Sequence, residues 1–156
     1  MIRLRSSIML DHPEFARWLE SSDDESRVAQ ELTRLDAFNA AVLHCEQAAQ
    51  MALKGLLRGV GLGEHAWGHS LTELASRAVD HAGLELTEEV AQALAVLERD
   101  HMPTRYPDAL VTGTPLGNYS LADADRATTT SERIRDLAVE TWERLRADER
   151  MNSEKH

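Results

Sequence analysis

Cysteine is almost absent from this chain. Among 156 residues there is one, Cys45, so no intramolecular disulfide can form. The start, Met1-Ile2-Arg3-Leu4-Arg5, is basic, but no apolar stretch of signal length follows it. Together these features predict a protein of the reducing cytoplasm. No run approaches the ~20 apolar residues that a membrane span requires. Glycine and proline are scarce, at 8 and 4. Most of them gather in two stretches, 55–68 and 103–117, and their scarcity excludes a collagen or low-complexity chain. Basic charge is the minority: 17 Lys and Arg stand against 27 Asp and Glu, for a net charge of −10. Such a surface repels polyanions. Nonspecific binding to duplex DNA, which depends on Lys and Arg neutralising phosphates, is therefore not expected. A local basic site is still allowed.

What is present is an ordinary soluble composition, 42% hydrophobic and 28% charged. A chain of this length predicts one domain, able to bury roughly 68–70% of its unfolded surface. Between the two Gly/Pro stretches the apolar pattern has the helical period. Asp11-His12-Pro13-Glu14 reads as a helix start with Asp11 as cap. A short helix through Trp18 and Leu19 is expected to end in a polar turn at Ser21–Asp24. The longest helix is then expected over about Ser26–Val60. Its apolar stripe Leu35, Phe38, Val42, Cys45, Ala49, Ala52, Leu56, Val60 is joined by a second through Leu43, Leu53 and Leu57, so it should be buried on more than one side. Ser70 with Glu73 forms a capping box for a third helix that stops at Gly83. Thr87 caps a fourth, and Ser120 with Asp123 opens the last. The expected fold is all-α, an up-and-down bundle of about five helices with one long central member. The domain should span 1–148, with a frayed tail over 149–156.

Three groups of residues could carry chemistry. His44, Gln47, Met51, Lys54 and Arg58 share one face of the long helix at spacings of three and four. Lys54 is one of only two lysines in the chain. It could meet a phosphate or carboxylate as a point charge, although a solvated face explains the stripe as well. The second group is Arg99-Asp100 followed by Thr104-Arg105-Tyr106-Pro107-Asp108. Pro107 disfavours helix at Tyr106 and so ends the preceding turn. Arg can grip a phosphate, Tyr can stack on a base, and Asp can orient the Arg. The competing reading is a helix stop pinned by an Arg105–Asp108 pair. The third group is histidine. His65 and His69 sit in a glycine-rich segment, without the three or four ligands a zinc site needs. No metal or cofactor is expected, and His44 and Cys45 point apart on their helix.

The order of three short motifs is more specific than any one of them. Gln47-Ala48-Ala49-Gln50-Met51-Ala52-Leu53-Lys54-Gly55-Leu56-Leu57 is followed by Gly68-His69-Ser70-Leu71 and then by Arg105-Tyr106-Pro107-Asp108. In this order they resemble HEPN domains, the small helical domains found beside minimal nucleotidyltransferases. The resemblance covers about residues 30–145. It implies a five-helix bundle that dimerises through its long helices and binds a nucleotide or RNA. Many members of that family are ribonucleases with an Arg and, four to six residues later, a His. Here no histidine follows Arg105 until His156. Arg58 and His65 have the spacing but lie at the end of the long helix, away from the family's catalytic position.

The leading expectation is thus a noncatalytic HEPN-type module, a homodimer that binds a nucleotide or RNA or partners a separate nucleotidyltransferase. Its ligand site is expected at Arg105, Tyr106 and Asp108, with Arg99 and Lys54 as phosphate contacts and no catalytic residue. The alternatives are a metal-independent ribonuclease of toxin–antitoxin type and a ligand-free helical adaptor.

Overall fold

The computed structural model describes residues 9–155, so the basic start at 1–5 and His156 lie outside the described residues. Among the described residues six helices make up the fold: α1 (His12–Arg34), α2 (Phe38–Gly59), α3 (Leu71–Ala82), α4 (Glu88–Arg99), the single turn α5 (Pro115–Asn118) and α6 (Leu121–Ser153). No strand is present among the described residues; Ala109–Thr112, the most strand-like stretch, forms part of a short 3-10 turn and bends. No described helix is long and apolar enough to cross a membrane.

The caps stand where the side chains predict them. Asp11 accepts from the Glu14 N–H, Ser70 from Glu73, Thr87 from Val90, and Ser120 forms a full capping box with Asp123. Gly83 ends α3 in the left-handed conformation, φ +74°, which a Cβ would disfavour. Two boundaries differ from expectation. The chain does not turn at Ser21–Asp24. α1 runs through it, because the Ser21 hydroxyl bonds back to the Arg17 carbonyl and the buried Ser22 hydroxyl donates to Ala48 O at 2.7 Å. The turn falls instead at Leu35–Ala37, where Asp36 takes φ +58°. At the other end, α6 continues to Ser153, so residues 149–153 are helical and not frayed. Glu149 accepts from the Leu10 N–H and meets His12 at 3.2 Å. With 33 residues α6, not the central helix, is the longest element.

α2 is the axis of the bundle, touching every other helix. The Asp11 N–H donates to Gly59 O, so α1 lies antiparallel to α2. Cys45 lies beside Thr128 and Gly59 beside Trp142, the same offset at both points, so α6 runs parallel to α2 in constant register. Glycines allow these close approaches. A Cβ on Gly55 would come within 2.7 Å of Trp18 Cβ, and one on Gly59 within 2.6 Å of the Trp142 ring. The apolar sides of α2 are therefore consumed inside the protomer: Val42, Ala49, Leu53, Leu56 and Leu57 are all fully buried.

Candidate functional site

The chain after α4 folds back along α2 toward its amino end. His101 Nδ1 stands 3.4 Å from Glu46 Oε2, and three residues later the Thr104 carbonyl accepts from Asn39 Nδ2 at 3.2 Å. Thr104 is buried and its hydroxyl donates to Asp100 O, which closes the last turn. Tyr106 is then extended (φ −123°, ψ 127°), as a residue before proline prefers, and Pro107–Ala109 forms a 3-10 turn. Asp100 is not part of the exposed group. It accepts from the Tyr119 hydroxyl at 2.9 Å, and burial pushes its carboxyl above the ordinary range.

Arg99, Arg105, Tyr106 and Asp108 are exposed. Arg105 and Asp108 do not pair with each other, so the pinned helix stop is not what forms. Among the described arginines, only Arg99, Arg105 and Arg150 lack an ion pair. One of the three, Arg105, opens the Arg-Tyr-Pro-Asp turn, and Arg99 ends α4 six residues earlier.

Lys54 is not brought to this turn. It lies fifteen residues beyond Asn39 on a continuous helix, about 22 Å along the axis at 1.5 Å per residue. It is half-buried, and its ammonium is pushed below the usual lysine range by burial and by the neighbouring Arg58, against an opposing pull from Glu46. The rest of its stripe is engaged structurally. His44 Nδ1 meets Glu25 at 2.5 Å, and Arg58 lies over the Trp18 ring at 4.8 Å.

Between Arg105 and Lys54 the structure assembles a cluster that the sequence did not announce. Glu46 is fully buried and Gln50 nearly so. Glu46 accepts from Gln50 Nε2 at 2.5 Å and from Gln47 Nε2 at 2.6 Å. That orientation leaves Gln50 Oε1 to accept from His69 Nδ1 at 3.2 Å. His69 and His101 stack with ring centroids 5.5 Å apart and planes 19° from parallel. His101 Nδ1 has only the charge contact with Glu46 and no hydrogen bond. Each ring thus turns Nδ1 inward, toward the carboxylate directly or through Gln50. For His69 the inner hydrogen bond sets ring orientation and tautomer. The signal that could have revealed this cluster is Glu46 and Gln50 themselves, polar residues one turn apart in a helix expected to be buried on several sides.

The shape of the bundle and the order of its motifs agree with comparisons to known proteins. The HEPN domain family model matches residues 15–142. This chain belongs to the HEPN domain family. Among solved structures it is similar to TT1696 from Thermus thermophilus, at 31% identity and a TM-score of 0.77 over 82% of this chain and 98% of that one. It is also similar to an archaeal HEPN homologue, at 25% identity and a TM-score of 0.63 over 80% and 93% of the two chains. An HEPN domain protein from Thermotoga maritima shares the fold at 23% identity and a TM-score of 0.64, over 82% and 98%. A comparison with curated proteins finds no match. The HEPN assignment fits the all-helical architecture and the position of Arg105-Tyr106-Pro107-Asp108 after α4. Among the described residues no group of three or more His, Cys, Asp or Glu could hold a metal ion.

Proposed function

We propose that this HEPN domain is a noncatalytic binding module that takes a nucleotide or RNA at the Arg-Tyr-Pro-Asp turn and acts as a homodimer or beside a separate nucleotidyltransferase. One observation carries the reading: Arg99 and Arg105 are unpaired in a chain whose other described arginines, Arg150 excepted, are held by carboxylates. A protein of net charge −10 that leaves two cations free around an exposed tyrosine and a backbone break is equipped there for an anionic ligand bearing an aromatic base. The ligand would lie on the surface. The dent between α4 and α6, lined by Leu97, Asp100 and Arg126 among others, has no room even for a water molecule and so is not a small-molecule pocket.

Dimerisation is supported by a different surface from the one the sequence suggests. Leu35, Leu116 and Leu121 are exposed; Leu35 directly precedes α2, Leu116 lies on α5, which packs against α2, and Leu121 opens α6, which runs parallel to α2. Such clusters mark association surfaces more often than free ones. A thermal-shift panel of mono- and dinucleotides at millimolar concentration tests the binding reading. Stabilisation by at least one nucleotide supports it, and no shift with any of them contradicts it.

A second reading, a metal-independent ribonuclease, is favoured by the His69–His101 pair. Two stacked imidazoles whose Nδ1 atoms are turned inward leave their Nε2 atoms for proton transfer, the role histidine commonly takes in RNA cleavage. Incubation with a mixed RNA separates the two readings. The binding module leaves RNA intact, whereas cleavage lost in His101→Ala replaces it with the ribonuclease.

A further inference from the structure

Lys54 is an amine without an acid. Among the described residues no carboxylate stands within ion-pair distance of it. It is half-buried in the middle of α2. Burial and the Arg58 charge hold its ammonium below the usual lysine range, against the pull of Glu46, so it sheds its proton more readily than an exposed lysine. The residue type matters here. This chain uses arginine at nearly every other basic position. A guanidinium stays protonated, whereas an amine that has lost its proton is a nucleophile.

Arg58, one turn further on, has the opposite shortage. Its only carboxylate contact among the described residues is Glu14 Oε1, 3.9 Å from Nη1. Both Glu14 oxygens already have closer donors. Oε1 accepts from Trp18 Nε1 at 2.9 Å and from Arg17 Nη2 at 3.2 Å, and Oε2 meets Arg17 Nε at 2.7 Å. Arg58 Nε is buried and has no hydrogen-bond partner. A buried donor left without an acceptor is costly. Residues four apart on a helix have Cβ atoms about 5–6 Å apart, a gap that two long side chains can close. A small anion carried on Lys54 would therefore meet a cation that lacks one. Glu46, two turns back along α2, would oppose that anion, but its oxygens are occupied by the Gln47 and Gln50 amides.

We propose that Lys54 is a reversible modification site for carbon dioxide, which adds to Nζ to give a carbamate held by Arg58. The lone pair of the neutral amine forms the N–C bond, one C=O pair moves onto oxygen, and the nitrogen gives one proton to water. The amine and CO2 thus become a carbamate anion and a proton, with no oxidant, metal or second substrate. The site suits this reactant. Carbon dioxide is small and uncharged, so a half-buried amine is open to it. The product is an anion beside an underused guanidinium with a free donor. The reaction turns a cation of the His44–Arg58 stripe into an anion, so the charge of this face responds to carbon dioxide. The Arg-Tyr-Pro-Asp turn near Asn39 lies about 22 Å away along the helix, and the proposal does not depend on a ligand there.

The test places the whole chain in carbon-13-labelled bicarbonate at constant pH and follows the carbamate resonance by NMR. Ethylation of the carbamate with a trialkyloxonium salt, followed by peptide mass spectrometry, locates it. Lys54 should be trapped severalfold more often than the exposed Lys155. An amino-terminal amine also forms carbamates, so Lys54→Arg, which keeps the charge, should remove one resonance and leave the others. Arg58→Gln should lower occupancy at Lys54 about tenfold, the scale of one charge-assisted hydrogen bond. Glu14→Gln, which removes the carboxylate competing for Arg58, should raise it. Circular dichroism checks that each variant folds, and the Glu14 variant decides the matter if Arg58→Gln does not. Trapping on Lys54 no more frequent than on Lys155, a spectrum unchanged by Lys54→Arg, or Lys54 occupancy that responds to neither the Arg58 nor the Glu14 change would each overturn the proposal.

Discussion

Glu46 illustrates how a single residue can be both costly and informative. A carboxylate with no solvent exposure is tolerated only when its oxygens are satisfied, and here Gln47 and Gln50 supply the donors. Glu46→Ala would leave both amides and His101 without their partner, and should lower stability by about 1–3 kcal/mol in chemical denaturation. Glu46→Gln, which keeps the shape, should cost less. The backbone break at Tyr106-Pro107 was legible, because a proline after an Arg-Tyr pair advertises it. Glu46, Gln50 and His101 were not legible. A glutamate on a helix usually faces water, and only the return of the chain over α2 puts this one under two histidines. Lys54 was visible as a rare lysine, but its distance from Arg105 is a property of the helix axis and not of the motif.

The elements were readable where side chains cap them and unreadable where they do not. Asp11, Ser70, Thr87 and Ser120 fix four helix starts by hydrogen bonds that are local in sequence. The Ser21–Asp24 stretch looks like a turn by composition, yet tertiary contact overrides it: Ser22 is buried against Ala48. The real turn uses Asp36 in a left-handed conformation and carries neither glycine nor proline. Two predictions belong at this scale. Gly59→Ala should destabilise by roughly 1–3 kcal/mol, because the Trp142 ring that its Cβ meets is packed between Phe15 and the core and cannot retreat. The α6 cap should also give a pH signature. Burial pushes the Asp123 carboxyl up, but hydrogen bonds from the Ser120 backbone and hydroxyl, with Arg126, outweigh it and hold the group below its ordinary value of 3.8. A depressed carboxyl contributes stability above the unfolded value and loses it as pH falls through the folded one. Wild type should therefore lose stability more steeply than Asp123→Asn on acidification below about pH 4, as thermal melts in a pH series would show.

At the scale of the molecule, the all-α class and the HEPN family were legible from helical periodicity and three ordered motifs. The quaternary argument was not. Apolar residues on several sides of α2 suggested a dimer through that helix, but α1, α3 and α6 cover them within one chain. A dimer through the exposed Leu35, Leu116 and Leu121 is the proposal to test instead. Light scattering at micromolar concentration should give twice the 17.4 kDa chain mass, and a Leu116→Glu, Leu121→Glu variant should run as a monomer. The binding function is tested most directly by calorimetric titration of the nucleotide that gives the largest thermal shift into wild-type protein and Arg105→Ala, with melting temperatures recorded for both. The account predicts measurable wild-type binding that falls at least tenfold in Arg105→Ala with little change in melting temperature. Equal affinity in the two proteins, or a lower melting temperature with unchanged affinity, would contradict it and make the Arg-Tyr-Pro-Asp turn a structural feature.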